Sequence, residues 1–182
     1  MDQTLLEKTI SQSYAFEGRI LKTRVDQAQL PNGNLVSREV IEHPGGVAIA
    51  ALTEKRELLF VRQFRYPYGK VVLELPAGKL EKGEDPLEAG KRELKEETGA
   101  VGKDYRFLGE VYPSPGFCDE ILYLYACQVD TLGENNPDED EFLEVERIPL
   151  KKAVEMVLSN EIPDAKTQIC ILKTALLWGN QK

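Results

Sequence analysis

Between Gly46 and Leu52 almost every residue is apolar, and Glu57 to Phe64 carries a second apolar run, with the polar turn Thr53-Glu54-Lys55-Arg56 joining the two. Short apolar runs bounded by polar turns predict buried strands. Tyr66-Pro67-Tyr68-Gly69-Lys70 interrupts the pattern before a third strand, Val71 to Leu75, which stops at Pro76 because proline cannot donate to a ladder. Further strands are expected over Tyr105 to Tyr112, over Ile121 to Val129, rich in β-formers, and over Phe142 to Ile148. Helical periodicity takes over in Leu150 to Leu158 and in Asp164 to Trp178, the latter with apolar positions Ile169, Leu172, Ala175 and Leu176. This order predicts an α/β fold: a mixed sheet with helices on both faces, an α/β/α sandwich.

Ahead of the break His43-Pro44-Gly45-Gly46 the pattern is weaker. Residues 3–10 have a short helical pattern, Gly18 to Leu30 alternates loosely through Ile20, Leu21 and Val25, Pro31-Asn32-Gly33 signals a turn, and Leu35 to Ile41 reads as a returning strand. A hairpin with so few large apolar residues stands poorly alone, so it is expected to pack on the main domain or on a second copy of the chain. The expected organisation is a small N-terminal β region over residues 1–44 and an α/β domain over residues 45–182.

One predicted helix lies between the strands, and its boundaries are chemically marked. Asp85 is a good N-cap, Pro86 suits the first helical position, Glu88 completes an Asp-x-x-Glu capping box, and Gly99 can end the helix in a left-handed conformation. Glu93, Glu96 and Glu97 fall at i, i+3 and i+4, which gathers their carboxylates on one face. Like charges at that spacing repel unless a cation lies among them. Hard oxygen donors of this kind suit Mg²⁺ or Mn²⁺, ions that keep several waters and bridge to substrate phosphates.

Composition removes several function classes. A net charge of −8 disfavours nucleic acid and anionic membrane surfaces as partners. It leaves a phosphorylated small molecule open, since a bound divalent ion reverses the sign locally. No apolar run approaches the ~20 residues of a membrane span, and MDQTLLEKTI shows no basic-then-apolar secretory pattern. Cys118, Cys127 and Cys170 have no metal-ligand spacing and cannot all pair, so reduced thiols and a cytoplasmic location are expected.

Gly78, Glu84, Arg92, Glu93, Leu94, Glu96, Glu97, Gly99 and Ala100 follow the order Gly-x5-Glu-x7-Arg-Glu-U-x-Glu-Glu-x-Gly-U, where U is a bulky aliphatic. This resembles the Nudix box of the Nudix hydrolases; Ala100, smaller than usual, is the one departure and bears on local packing. Leu75-Pro76-Ala77-Gly78 ahead of the box and Ser114-Pro115-Gly116-Phe117 beyond it make the chain similar to the ADP-ribose pyrophosphatase branch of that family. The resemblance implies metal-dependent hydrolysis of ADP-ribose to AMP and ribose 5-phosphate. Alternatives are the same hydrolysis on another nucleoside-diphosphate sugar or a dinucleotide, and a nucleotide-sensing module that cleaves nothing.

The resemblance also implies roles. Glu93, Glu97 and the carbonyl of Ala77 would hold Mg²⁺, with Mn²⁺ possible, and Glu96 would be a further ligand or orient water. Arg92, one position off the acidic face, is expected to brace the loop by pairing with Glu84 or with a backbone carbonyl. In the acidic run Asp138 to Glu144, matching Glu-Phe-Leu-Glu-Val selects Glu141 as a ligand and Glu139 as the candidate general base. Arg65 matches a phosphate-contacting arginine, and Arg38 with Glu39 a pair that contacts the adenine end, often from a partner subunit. His43 and Ser114 are weaker substrate-binding candidates, and an aromatic that stacks on adenine in the family is replaced near Ile20 by an aliphatic residue. A homodimer is therefore expected, each N-terminal segment helping to build the other chain's site.

Overall fold

The computed structural model describes residues 3–137 and 142–178. The chain forms two compact units, Met1–Gly45 with Tyr112–Ile121, and Gly46–Val111 with Leu122–Lys182.

In the first unit a single 3-10 turn, Gln3–Leu5, precedes three strands: β1 (Lys8–Glu17), β2 (Lys22–Gln29) and β3 (Leu35–Glu42). They form an antiparallel sheet in the order β1-β2-β3. The helical expectation for residues 3–10 therefore holds for one turn only. Ile10, Tyr14 and Phe16 sit at even spacing, a period-two signal that overrides the helical look. Gly33, at φ +89°, turns β2 into β3, and the amide of Asn34 donates to Asn32 Oδ1 at 3.0 Å. The segment Tyr112–Ile121, expected within the larger domain, belongs to this unit instead. It is stitched to β3 by Ile41 N–H to the Phe117 carbonyl at 2.7 Å and Asp119 N–H to the Ile41 carbonyl at 3.0 Å.

The second unit contains β4 (Gly46–Leu52), β5 (Glu57–Arg65), β6 (Lys70–Glu74), β7 (Ala77–Lys79), α1 (Pro86–Thr98), β8 (Ala100–Val111), β9 (Leu122–Leu132), β10 (Leu143–Pro149), α2 (Leu150–Leu158) and α3 (Ala165–Trp178). Its sheet runs β10-β5-β4-β9-β8, with β6 also paired to β5 and β7 to β4. β4 pairs parallel with β9 and antiparallel with β5 and β7, so the sheet is mixed as expected.

The uninterrupted apolar run of β4 is explained by burial on both faces. Ala48, Ala50 and Leu52 enter one core with Leu150, Ala153 and Val157 of α2 and Cys170, Ile171 and Trp178 of α3. Val47, Ile49 and Ala51 enter the other with Ala89 and Leu94 of α1. Gly90 lets α1 approach closely, since a Cβ there would lie 2.6 Å from Ile49 Cδ1 and 3.0 Å from Val47 Cγ2.

Two details differ from expectation. α3 buries Thr167, Cys170, Ile171, Thr174 and Trp178, while Leu176 stays 84% exposed. Thr167, Cys170, Ile171 and Thr174, at i, i+3, i+4 and i+7, form its inner face with Trp178, and the leucines lie outside that stripe. β7 was not anticipated because Pro76 reads as a strand end. The proline carbonyl instead accepts from Ile49 N–H at 2.9 Å, and the chain changes partner there, leaving β5 for β4. That switch places Ala77 and Gly78 beside Ala48 and Val47.

Candidate active site

α1 is positioned by its caps and its apolar face. Asp85 Oδ1 accepts from the amides of Leu87 at 2.9 Å and Glu88 at 3.1 Å, and Gly99, at φ +70°, returns its amide to the Lys95 carbonyl. Only half of the expected capping box forms, because the Glu88 carboxylate pairs with Lys91 at 2.7 Å. With Ala89 and Leu94 in the core, the acidic residues lie along the flank of the helix: Glu97 is only 2% exposed.

Arg92 sits at the centre of the cluster. Its Nε and Nη2 donate to Glu84 at 3.0 and 3.2 Å, and its Nη1 donates to Glu93 at 2.9 Å and Glu96 at 3.0 Å. The expected Arg92–Glu84 brace is present, and its bidentate geometry is one that lysine could not reproduce. The hydrogen bonds to Glu84, then the nearby Glu93 and Glu96, push the guanidinium further up from an already high value. In return Arg92, helped by the Glu81 amide, holds the Glu84 carboxyl below its usual range.

Two backbone features meet the helix. The amide of Ala77 donates to Glu97 Oε2 at 3.0 Å, tying the start of β7 to the helix. A Cβ on Gly78 would lie 1.9 Å from Glu93 Oε1 and 2.0 Å from its Cδ, so the Glu93 carboxylate occupies the space that a side chain would take. Glu84, Glu93 and Glu96 converge on one guanidinium through their carboxylates. Hard oxygen donors with this balance of charge fit Mg²⁺ or Mn²⁺ and are a poor match for Zn²⁺. Among the described residues no three acidic, histidine or cysteine side chains are already drawn around one point at ligand distance. The carboxylates are instead drawn onto Arg92.

Arg65, at the end of β5, is held by Glu74: Nε donates to Oε1 at 2.6 Å and Nη2 to Oε2 at 2.9 Å. Lys166 of α3 also donates to Glu74 Oε2, and to Asp164 at 3.0 Å. Burial pushes the Glu74 carboxyl up, but Arg65 and Lys166 outweigh it and hold the group below its usual value. Glu74 and Lys166 escaped the sequence reading. The available signal was an acid inside an otherwise apolar strand, Val71-Val72-Leu73-Glu74-Leu75.

The other candidates lie in the first unit. Arg38 is engaged by Glu7 at 2.9 and 2.7 Å, and Glu39 is exposed on β3 opposite Val25. The amide of His43 donates to Asp119 Oδ1 at 2.8 Å, and its Nδ1 accepts from the Gly45 amide at 3.1 Å and lies 3.4 Å from Glu120 Oε1. The carbonyl of Ser114 accepts from Phe117 N–H at 3.2 Å and Cys118 N–H at 3.0 Å, closing its turn. Ile20 is 42% exposed. Glu139 and Glu141 lie outside the described residues. Just before that stretch, Asn136 N–H donates to the Glu96 carbonyl at 2.8 Å and Asn135 Nδ2 to the Glu97 carbonyl at 3.3 Å.

Several known proteins resemble this chain in sequence or fold. The NUDIX domain matches residues 42–169. An ADP-ribose pyrophosphatase of Bacillus subtilis (strain 168) is 43% identical over 180 residues, covering 96% of this chain and 97% of the relative. A methanol dehydrogenase activator of Bacillus methanolicus is 42% identical over 173 residues, covering 94% of each. Among solved structures, an ADP compounds hydrolase superposes with a TM-score of 0.83 at 20% identity, over 97% of both chains. At that identity the likeness concerns the fold.

Proposed function

The chain belongs to the Nudix family, and from that premise we propose that it hydrolyses the pyrophosphate bond of ADP-ribose to AMP and ribose 5-phosphate. The observation that carries this reading is the acidic flank of α1 locked to Ala77 and Gly78 and braced by Arg92. A near-full-length relative with 43% identity that bears the name ADP-ribose pyrophosphatase supports the substrate.

Glu93, Glu97 and the Ala77 carbonyl would hold Mg²⁺, with Mn²⁺ able to replace it, and Glu141 is assigned as a further ligand. An ion held there would supply neutralisation of charge on the phosphate oxygens and so lower the cost of attack by water. The protein's own residues do the rest. Arg92 fixes Glu84, Glu93 and Glu96 relative to one another. Glu96 serves as an additional ligand or orients the attacking water, and Glu139 takes its proton. Arg65 grips the pyrophosphate with its planar fork. Arg38, Glu39, His43 and Ser114 address the adenosine and ribose portions, and for Arg38 this requires substrate to compete with Glu7.

A homodimer is part of this reading. All ten residues of β1 are exposed, among them Ile10, Tyr14 and Phe16, and β1 is an edge strand. A second copy of the chain would cover that surface. The three unpaired cysteines support a reducing compartment, the cytoplasm. Among the described residues no helix is long and apolar enough to cross a membrane.

A regulatory role is a second reading, favoured by the name of the Bacillus methanolicus relative. One experiment separates the two. The protein is incubated with Mg²⁺ and a panel of ADP-ribose, other nucleotide sugars and dinucleotides in ¹⁸O-labelled water, and products are read by mass. AMP and ribose 5-phosphate from ADP-ribose, one of them carrying the label, are expected. Faster cleavage of another member of the panel would change the substrate, and no cleavage at all would favour the regulatory role.

A further inference from the structure

The charged group behind Arg65 is not explained by stability alone. Glu74 is 2% exposed in a strand whose neighbours Val72, Leu73 and Leu75 are apolar. A buried carboxylate is costly to desolvate, and an apolar residue of similar volume commonly serves stability as well or better. The carboxylate is nevertheless fully engaged. Oε1 takes Arg65 Nε, while Oε2 takes both Arg65 Nη2 and Lys166 Nζ. Asp164 in turn accepts from Lys166 at 3.0 Å through Oδ1 and from the Thr167 amide at 3.0 Å through Oδ2. Two acids thus balance two bases.

The backbone around the group is equally fixed. Leu75 N–H donates to Thr167 Oγ1 at 2.9 Å, joining the end of β6 to the first turn of α3. Beyond Pro76 the same segment reaches Ala77, whose amide holds Glu97. Arg65 feels the Glu97 carboxylate, which adds to the upward push from Glu74. The anchored guanidinium is therefore within electrostatic reach of the acidic flank of α1. Its side chain keeps 36% of its exposure whereas Glu74 keeps 3%, so a partly open arginine stands on a closed base.

We propose that Glu74 and Lys166 are positioning residues for the diphosphate of the substrate: they clamp Arg65 by its Nε–Nη2 edge and leave its Nη1 group for a phosphate oxygen. The bidentate clamp removes the rotamer freedom that a free arginine would lose on binding, and Arg65 together with Lys166 keeps Glu74 ionised despite its burial. This inference rests on the reading of the chain as a diphosphatase that uses Arg65.

The test is a double-mutant cycle on the full chain, with KM, kcat and Tm measured for wild type, Arg65→Ala, Glu74→Gln, Lys166→Met and the combinations of Arg65→Ala with each of the other two. Arg65→Ala is expected to lower kcat/KM about 100-fold and Glu74→Gln about tenfold, the latter mainly through KM. The double variant should match Arg65→Ala alone, because a residue that acts through Arg65 has nothing left to position. Multiplicative losses in the double variant, an active Arg65→Ala, or a Glu74→Gln whose Tm falls while its KM is unchanged would each overturn the proposal. If Glu74→Gln fails to fold, the Lys166→Met arm of the cycle decides by the same criteria. Wild type is assayed first on ADP-ribose; if it is inert there, the substrate is wrong, and the cycle is run on whichever nucleoside diphosphate derivative it does cleave. If it cleaves none, both readings fall.

Discussion

Replacing Gly78 by alanine should separate activity from stability. Gly78 is not in the left-handed region, so the backbone accepts a Cβ without strain. The obstacle is the Glu93 carboxylate, whose Oε1 would lie 1.9 Å from the new methyl; reaching an ordinary contact of 3.4 Å moves the oxygen by about 1.5 Å. The energetic consequence for the fold is small. The Arg92–Glu93 pair is partly exposed and is worth about 0.2–1 kcal/mol. Loss of glycine's freedom in the unfolded chain returns about 0.4–1 kcal/mol. Displacing a reacting group by about 1 Å, in contrast, can cost about 100-fold in rate. Gly78→Ala should therefore keep its unfolding free energy within about 1 kcal/mol of wild type, by urea titration, while kcat on ADP-ribose falls about 100-fold. Wild-type turnover would show that the position of Glu93 is irrelevant to the chemistry. Loss of both activity and stability would show that Gly78 serves the fold instead.

Gly90→Ala should do the opposite, destabilising the protein by about 1–3 kcal/mol through overpacking of Ile49 and Val47, with per-molecule activity retained at low temperature. Glu74 makes a prediction about acid. Its carboxyl is held below its usual 4.5, so the stability it contributes is fully present at neutral pH and is lost as pH falls below 4.5 and through the still lower folded value. Glu74→Gln should flatten the pH dependence of Tm in that acidic window and leave its slope near neutrality alone. Burial pushes the thiols of Cys127 and Cys170 up to about 12. Cys118 is half-buried, so a thiol reagent at about pH 8 should label Cys118 ahead of the other two in the native protein, and all three only after unfolding.

Much of the fold could be read from the chain because its signals were local. β4 betrayed its two-sided burial by an unbroken apolar run, and α1 carried its own boundaries in Asp85, Pro86 and Gly99. The spacing of Glu93, Glu96 and Glu97 placed their carboxylates on one flank, and Arg92 next to them found Glu84 as charge and reach required. What escaped depended on partners distant in sequence. β7 exists because the chain leaves β5 for β4 at Pro76, a change invisible in Leu75-Pro76-Ala77. The inner face of α3 mixes Thr167, Cys170 and Thr174 with Ile171 and Trp178, while Leu176 on the same helix stays exposed. Lys166 reaches Glu74 from a helix far along the chain, and no periodicity announces such a pair. Arg38 likewise finds Glu7 only because β1 is a strand.

The most direct test of the central claim is anomalous diffraction from crystals grown with Mn²⁺ and an α,β-methylene analogue of ADP-ribose. The account predicts manganese at the carboxylates of Glu93 and Glu97 beside the Ala77 backbone, with the methylene-linked phosphates against it. Manganese bound elsewhere, with the acidic flank of α1 still closed on Arg92 and the analogue remote from it, would contradict the account.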